Sequence, residues 1–206
     1  MGRLYTIGHS QHKFEYFLSL LQKYDINYLL DVRSTPYSKY AETYNKDKLN
    51  YLLNQNHITY WPMGKYFGAR REDKFLYSES GYLDFEKVRK SELFQSGVRS
   101  VELGLQRGNQ IVLMCTEKDP IDCHRAVMVA KAFFDNGIEV YHILSDGKIQ
   151  THTELEKRLL NKYYPDRNQL DIFTYNEKLD NNKLLKDAYA KRNEEIGYHY
   201  GIEEMQ

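Results

Sequence analysis

Two cysteines, a glutamate, a histidine and an arginine crowd one stretch of this 206-residue chain, Cys115-x-Glu117-x-x-Pro120-x-x-Cys123-His124-Arg125. A thiol beside cationic partners ionises easily and attacks, so Cys115 is a candidate nucleophile with His124 as its reactive neighbour. Arg33, Arg70, Arg71 and Arg125 offer planar forks for phosphate or carboxylate, and the amides of a helix starting near Cys123 would add donors. In that second chemistry His9 or His124 acts as general acid or base, oriented by Asp31 or Glu117. A third chemistry, metal ligation by Cys115, Cys123, His124 and His9, has little sequence support. A single Cys-x7-Cys-His lacks the paired short spacings of zinc motifs. No metal and no cofactor is assigned on this basis. Plain structural roles stand beside these readings: Cys115 as apolar filler at a strand end, Asp31 with Arg33 and Glu117 with Arg125 as ion pairs holding loops.

The elements that must carry these residues are readable from periodicity. Leu4-Tyr5-Thr6-Ile7 is β-prone and stops at Gly8, and Phe14, Phe17, Leu18 and Leu21 then recur at helical spacing, with Ser10 placed as N-cap. Tyr28 to Val32 is a near-continuous apolar run, the mark of a strand covered on both faces. Asn45 is placed as N-cap of a helix carrying Leu49, Leu52 and Leu53, Ile58 to Trp61 as a strand, and 64–81 as loop. One helix is expected around Phe85 to Leu93 and a second around Val98 to Leu105, then a strand at Ile111 to Cys115 and a helix from about Cys123 to a stop at Gly137. Val140 to Leu144 is expected to be the last strand. Strands alternating with helices predict an α/β three-layer sandwich with a mostly parallel sheet over residues 1–150. Residues 151–206 read as a helical and irregular C-terminal extension, opening on a Thr151/Glu154 capping box and packing on the domain or contacting a partner.

In an open parallel sheet the ligand lies beyond the carboxyl ends of the strands. Those exits carry Gly8-His9-Ser10, Asp31-Val32-Arg33-Ser34, Gly64 to Arg71, Cys115-Thr116-Glu117 and Ser145-Asp146. The set Thr6-Ile7-Gly8-His9-Ser10, Asp31-Val32-Arg33-Ser34 with Pro36, Asn45, Gly68 with Arg70-Arg71, and the Cys115 to Arg125 motif resembles the bacterial family catalogued as domain of unknown function 488. The likeness runs from residue 4 to about 150 and implies an α/β domain with a polar motif pocket and no established reaction. Where many members carry two glycines before the arginine, this chain has Gly68-Ala69. Cys115, at a strand end facing a helix start, is also placed as in rhodanese-like and cysteine-phosphatase domains, and Asp31-Val32-Arg33 is similar to a rhodanese motif. The tight anion cradle of those enzymes is not reproduced, because nine residues separate Cys115 from Arg125. These readings together make Ser10, Asp31, Arg33, Asn45, Arg70, Glu117, Cys123 and Arg125 candidate substrate contacts around Cys115, His124 and His9.

Composition narrows the partners. Twenty-nine basic against 29 acidic residues leave no whole-molecule field toward nucleic acid or anionic lipid. No apolar run approaches the ~20 residues of a membrane helix, and the first residues lack a signal-peptide core, so a cytoplasmic protein with no membrane partner is expected. Residues 37–82 hold eight of the 19 tyrosines, interleaved with seven Lys and Arg. Such a loop suits single-stranded nucleic acid or an extruded base, or else packs on the sheet as a wall of the pocket. The reading that emerges is an enzyme with an anion-binding pocket for a phosphorylated, nucleotide-like or sulfur-bearing substrate, possible as a cysteine- or histidine-dependent transferase or hydrolase. A nucleic-acid module using the Tyr-rich loop, or a non-catalytic interaction protein, is the alternative.

Overall fold

A computed structural model describes residues 1–10, 12–167 and 180–200. Five strands run parallel: β1 (Leu4–Gly8), β2 (Tyr28–Asp31), β3 (Thr59–Pro62), β4 (Ile111–Cys115) and β5 (Val140–Ile143). A short β6 (Ile149–Thr151) pairs antiparallel with β5 at the edge. The order across the sheet is β3-β2-β4-β1-β5-β6.

Alternation along the strands divides the core in two. Leu4, Leu30, Val32, Leu113 and Cys115 face a layer built on Phe67, Phe94, Val98, Val127 and Phe133. Tyr5, Ile7, Leu29, Val112 and Met114 face the other, built on Phe17, Leu21, Leu49 and Leu53. The central strands are apolar at successive positions because both faces are covered. Helices α1 (Phe14–Lys23) and α2 (Lys46–Asn54) form one layer; α3 (Gly64–Phe67), α4 (Phe85–Lys90), α5 (Glu92–Gln106) and α6 (Lys131–Asp135) belong to the other. The mixed α/β architecture with a mostly parallel sheet is as the alternation of elements predicts. Among the described residues no helix is long and apolar enough to cross a membrane.

Several local expectations are corrected. Ser10 does not cap α1: its amide donates to the Thr116 carbonyl at 2.8 Å and its φ is 37°, so the chain is held against the β4 exit and Lys13 takes the cap position. Asn45 occupies the N-cap position of α2, but its Oδ1 accepts from the Ser38 amide at 2.6 Å and caps nothing. Segment 64–81 is not all loop, since burial of Phe67 stabilises the single turn α3 and Asp73 caps a 3-10 turn at Lys74–Leu76. Leu93 belongs to α5, which Ser91 caps by accepting from the Phe94 amide. The helix after Cys123 begins as a π turn, Arg125–Ala130, before α6. Val140 to Ile143 is not the last strand, because β6 follows it.

The chain continues into α7 (His152–Tyr163), started by the full Thr151/Glu154 capping box, and α8 (Asn181–Ile196). These helices meet around Ile121, Leu159 and Ala188. Asn193 of α8 accepts from the Phe85 amide and donates to the Leu83 carbonyl, tying the extension to the start of α4.

Candidate functional site

The apolar run Ile111 to Cys115 buries β4 up to the sheet edge and leaves Cys115 as its last residue, 3% exposed. The following loop doubles back. Asp119 accepts from the Ile121 amide at 3.1 Å and caps a 3-10 turn, Pro120–Asp122, which returns the chain to Cys123 beside Cys115. Each sulfur lies 3.9 Å from His124 Nδ1, and the three atoms lie within 4.8 Å of one another. Cys123 Sγ and Glu117 Oε2 share a hydrogen bond at 2.8 Å. His124 Nε2 lies 3.2 Å from the Val32 carbonyl oxygen, which can only accept. In the neutral ring Nε2 therefore carries the proton, and Nδ1 turns its lone pair to the two sulfurs.

The two thiols differ in acidity. Burial pushes Cys115 well above the usual thiol range, with the neighbouring Cys123 and Glu117 charges adding to it. Burial alone would also raise Cys123, but the Cys115 hydrogen bond and the Arg125 and His124 charges take it well below that range. Burial opposes a charge on His124, yet the Cys123 thiolate, Glu117 and the Val32 carbonyl raise it. Glu117 is raised by burial and by Cys123. These surroundings acidify Cys123, the neighbour of the thiol that the sequence offers as a candidate nucleophile.

Arg125 explains the tightness of the loop. It is fully buried and donates to the Glu117 carbonyl at 2.7 Å and the Lys118 carbonyl at 3.3 Å. Its partner at Glu117 is thus the backbone, not the carboxylate of the expected ion pair. Gly8 makes room for this contact, since a Cβ there would stand 1.9 Å from the Glu117 carbonyl oxygen. The glycine of Thr6-Ile7-Gly8-His9-Ser10 is required by close approach.

Arg33 is held by its own strand exit. It binds Asp31 through two nitrogens, at 2.9 and 2.6 Å, and donates to the Tyr44 carbonyl at 2.7 Å, while Tyr60 Oη donates to Asp31 at 2.8 Å. His9 Nε2 accepts from Arg33 at 3.2 Å, and the ring stacks on Tyr44 with centroids 4.2 Å apart. Burial, then the Arg33 charge, lowers His9 to about 4.

A pocket of about 280 Å³ opens beyond β2 and β4. Its wall joins Cys115, Glu117, Cys123 and His124 to Arg33 and Arg70, six of the sequence-predicted residues. His9, Ser10, Asp31, Asn45 and Arg125 are outside that wall; the His9 and Ser10 amides, the Asp31 carboxylate and Arg125 hold its backbone, while Asn45 ties down Ser38. Sequence reasoning did not select Ser34, Thr35 or Thr116, and had no means of selecting Ile196 and Tyr198, which the C-terminal extension brings to the same wall. The Arg70 amide donates to Ser34 Oγ at 2.9 Å, its guanidinium lies 5.0 Å over the Tyr198 ring, and a Cβ on Gly68 would stand 2.5 Å from Ser34 Oγ. Arg192 of α8 donates to the Ile121 carbonyl at 2.9 Å and pairs with Asp122, and Arg158 of α7 pairs with Asp119 at 2.6 Å. The loop between the cysteines is therefore clasped by both tail helices. A larger groove of about 460 Å³ between α4 and α8 has no thiol or imidazole among the described residues that line it.

Fold and site together define a three-layer α/β domain with a thiol–imidazole cluster in a pocket at the carboxyl edge of its sheet. Residues 13–132, more than half of the chain, match the family model for Domain of unknown function DUF488, and the chain belongs to that family. No curated protein and no solved structure matches, and the rhodanese likeness read from Asp31-Val32-Arg33 finds no support there.

Proposed function

We propose that the protein is an enzyme acting on a small phosphorylated, nucleotide-like or sulfur-bearing anion in this pocket. The observation that carries the reading is the convergence of Cys115, Cys123 and His124 on the wall that also holds Arg70. Cys115, Cys123 and His124 together form the reactive cluster. Glu117 is placed to hold or pass a proton at Cys123 Sγ. Arg70 supplies the cation at the rim, and the hydroxyls of Ser34, Thr35 and Thr116 line the wall as further donors. Arg33 and Arg125 act by position and field, because their forks are already engaged by Asp31 and by carbonyls. A cytoplasmic setting, which keeps both thiols reduced, fits this chemistry.

Titration with inorganic phosphate, pyrophosphate and AMP, followed by the unfolding temperature, tests the reading. Saturable stabilisation that weakens by roughly 10–100-fold in Arg70→Ala, the worth of one charge-assisted hydrogen bond, supports it. An equal response in both proteins, or none, overturns it.

A second reading, single-stranded nucleic-acid binding, draws on Tyr37, Tyr40, Tyr51 and Trp61, all more than half exposed, beside exposed Lys39 and Lys48. Tyr44, Tyr60 and Tyr77 from the same stretch are buried, so only part of it offers stacking faces. Retention on single-stranded DNA at low salt that falls when Tyr40 and Trp61 become alanine would favour it.

A further inference from the structure

We propose that Cys115, Cys123 and His124 bind one zinc ion, in a three-ligand site whose fourth position opens on the pocket. Tetrahedral zinc with bonds of about 2.3 Å to sulfur and about 2.0–2.1 Å to nitrogen sets its sulfur and nitrogen ligands roughly 3.6 Å apart. Both sulfur–nitrogen separations here are 3.9 Å, so each ligand needs to move by only a few tenths of an ångström. All three atoms lie within 4.8 Å of one another, which includes the two sulfurs.

The ring of His124 is set as a ligand. Its Nε2–H is engaged by the Val32 carbonyl at 3.2 Å, which leaves Nδ1 as the acceptor and fixes the ring plane. A backbone carbonyl on the far nitrogen is one of the usual outer partners of a metal-bound imidazole. The sulfurs are supported as well. The Arg125 amide lies 3.4 Å from Cys123 Sγ, and the fully buried Arg125 guanidinium places a positive charge beside a donor set that carries two negative charges once metallated.

Two thiolates and one imidazole suit zinc rather than magnesium or calcium. Three protein ligands with an open position are the arrangement of catalytic zinc, whereas structural sites close all four. Glu117 Oε2, 2.8 Å from Cys123 Sγ, stands at the edge of that position as acid–base group or exchangeable ligand. The protons lost on metal binding, one from each neutral thiol, pass to solvent or buffer. Metal binding stands on the cluster alone, while the role of the open position rests on the pocket reading above.

Cobalt titration of the reduced, metal-free full chain tests the inference. One equivalent should produce intense visible absorption of tetrahedral cobalt and a thiolate-to-cobalt charge-transfer band, both abolished by one equivalent of zinc. Cys123→Ser and His124→Asn should weaken binding by more than the roughly 10–100-fold that losing an outer partner costs, while Glu117→Gln keeps the charge-transfer band. Zinc should also protect both cysteines of the wild-type chain from alkylation, a readout that does not depend on any variant folding. No charge-transfer band, a band equally strong in folded Cys123→Ser and His124→Asn, or unchanged alkylation in zinc overturns the site. Inorganic phosphate added to the cobalt protein separates the two proposals. A spectral change lost in Arg70→Ala supports both, whereas a cobalt spectrum indifferent to phosphate leaves the metal site standing and removes the anion pocket.

Discussion

Acid should unfold this protein through a pair of buried histidines, His142 and His152. Thr6 Oγ1 lies 2.8 Å from His142 Nδ1, His142 Nε2 lies 3.1 Å from His152 Nδ1, and His152 Nε2 lies 2.9 Å from Tyr189 Oη, which donates to Glu156 at 3.1 Å. The last donor sets the whole chain: Tyr189 accepts from His152 Nε2–H, His152 Nδ1 accepts from His142 Nε2–H, and Thr6 donates to His142 Nδ1. Neither ring has a lone pair left for a proton. Burial, then the Lys131 charge, lowers His152 from 6.5 to about 3, and burial with the His152 charge lowers His142 in the same direction. Above pH 6.5 both rings are neutral whether the chain is folded or not. Below it the unfolded chain takes up protons that the folded chain refuses, in the case of His152 until about pH 3, so stability present near neutrality is lost as the pH falls. For His152 alone the loss reaches about 2 kcal/mol at pH 5, from about 1.4 kcal/mol per pH unit. Urea unfolding of wild type and His152→Gln at pH 7.5 and pH 5.0 isolates this share from the carboxylates. The stability advantage of wild type over the variant should shrink by about 2 kcal/mol between the two conditions. An advantage that stays constant would refute the neutral, fully bonded pair.

Other perturbations act on the frame of the pocket. Gly8→Ala drives a methyl group into the Glu117 carbonyl and should cost at least about 2 kcal/mol by urea unfolding, with Cys123 becoming easier to alkylate; an unchanged midpoint contradicts the close approach. Asp31→Ala strands the buried Arg33 guanidinium and should cost about 3–5 kcal/mol, against about 1 kcal/mol for Tyr60→Phe, which removes one hydrogen bond to the same carboxylate. Arg192→Met leaves the Ile121 carbonyl without its donor, so a loss of about 1–3 kcal/mol should accompany faster Cys123 alkylation. If alkylation is unaffected in that variant, α8 does not hold the loop.

The sheet was legible because both faces of its central strands are covered, which writes Tyr28 to Val32 as a near-continuous and Ile111 to Cys115 as a continuous apolar run. β6 was not, since three residues at a sheet edge carry no period of their own. Ser10 and Asn45 have the side chains of helix caps, and tertiary hydrogen bonds to Thr116 and Ser38 redirect one backbone and the other side chain. Exit-loop logic reached Arg33, Arg70, Cys115 and Glu117 of the wall, because strand ends in a parallel sheet share one edge, while Gly8 to Ser10 and Ser145-Asp146 lie outside it. The approach of Cys123 and His124 to Cys115 could not be read from Cys-x7-Cys-His, since it depends on a 3-10 turn clasped by Arg158 and Arg192 from the tail. Tyr198 is still further from the motif in sequence, and the Leu83 amide, donating to its carbonyl at 2.8 Å, anchors it beside the wall.

The most direct measurement is a crystal structure of the full chain grown with zinc and inorganic phosphate, with anomalous scattering collected at the zinc edge. The account predicts one strong peak about 2.3 Å from Cys115 Sγ and Cys123 Sγ and about 2.0–2.1 Å from His124 Nδ1, with phosphate in the same pocket within reach of Arg70. A Cys115–Cys123 disulfide, or zinc bound elsewhere with the cluster bare, would contradict it.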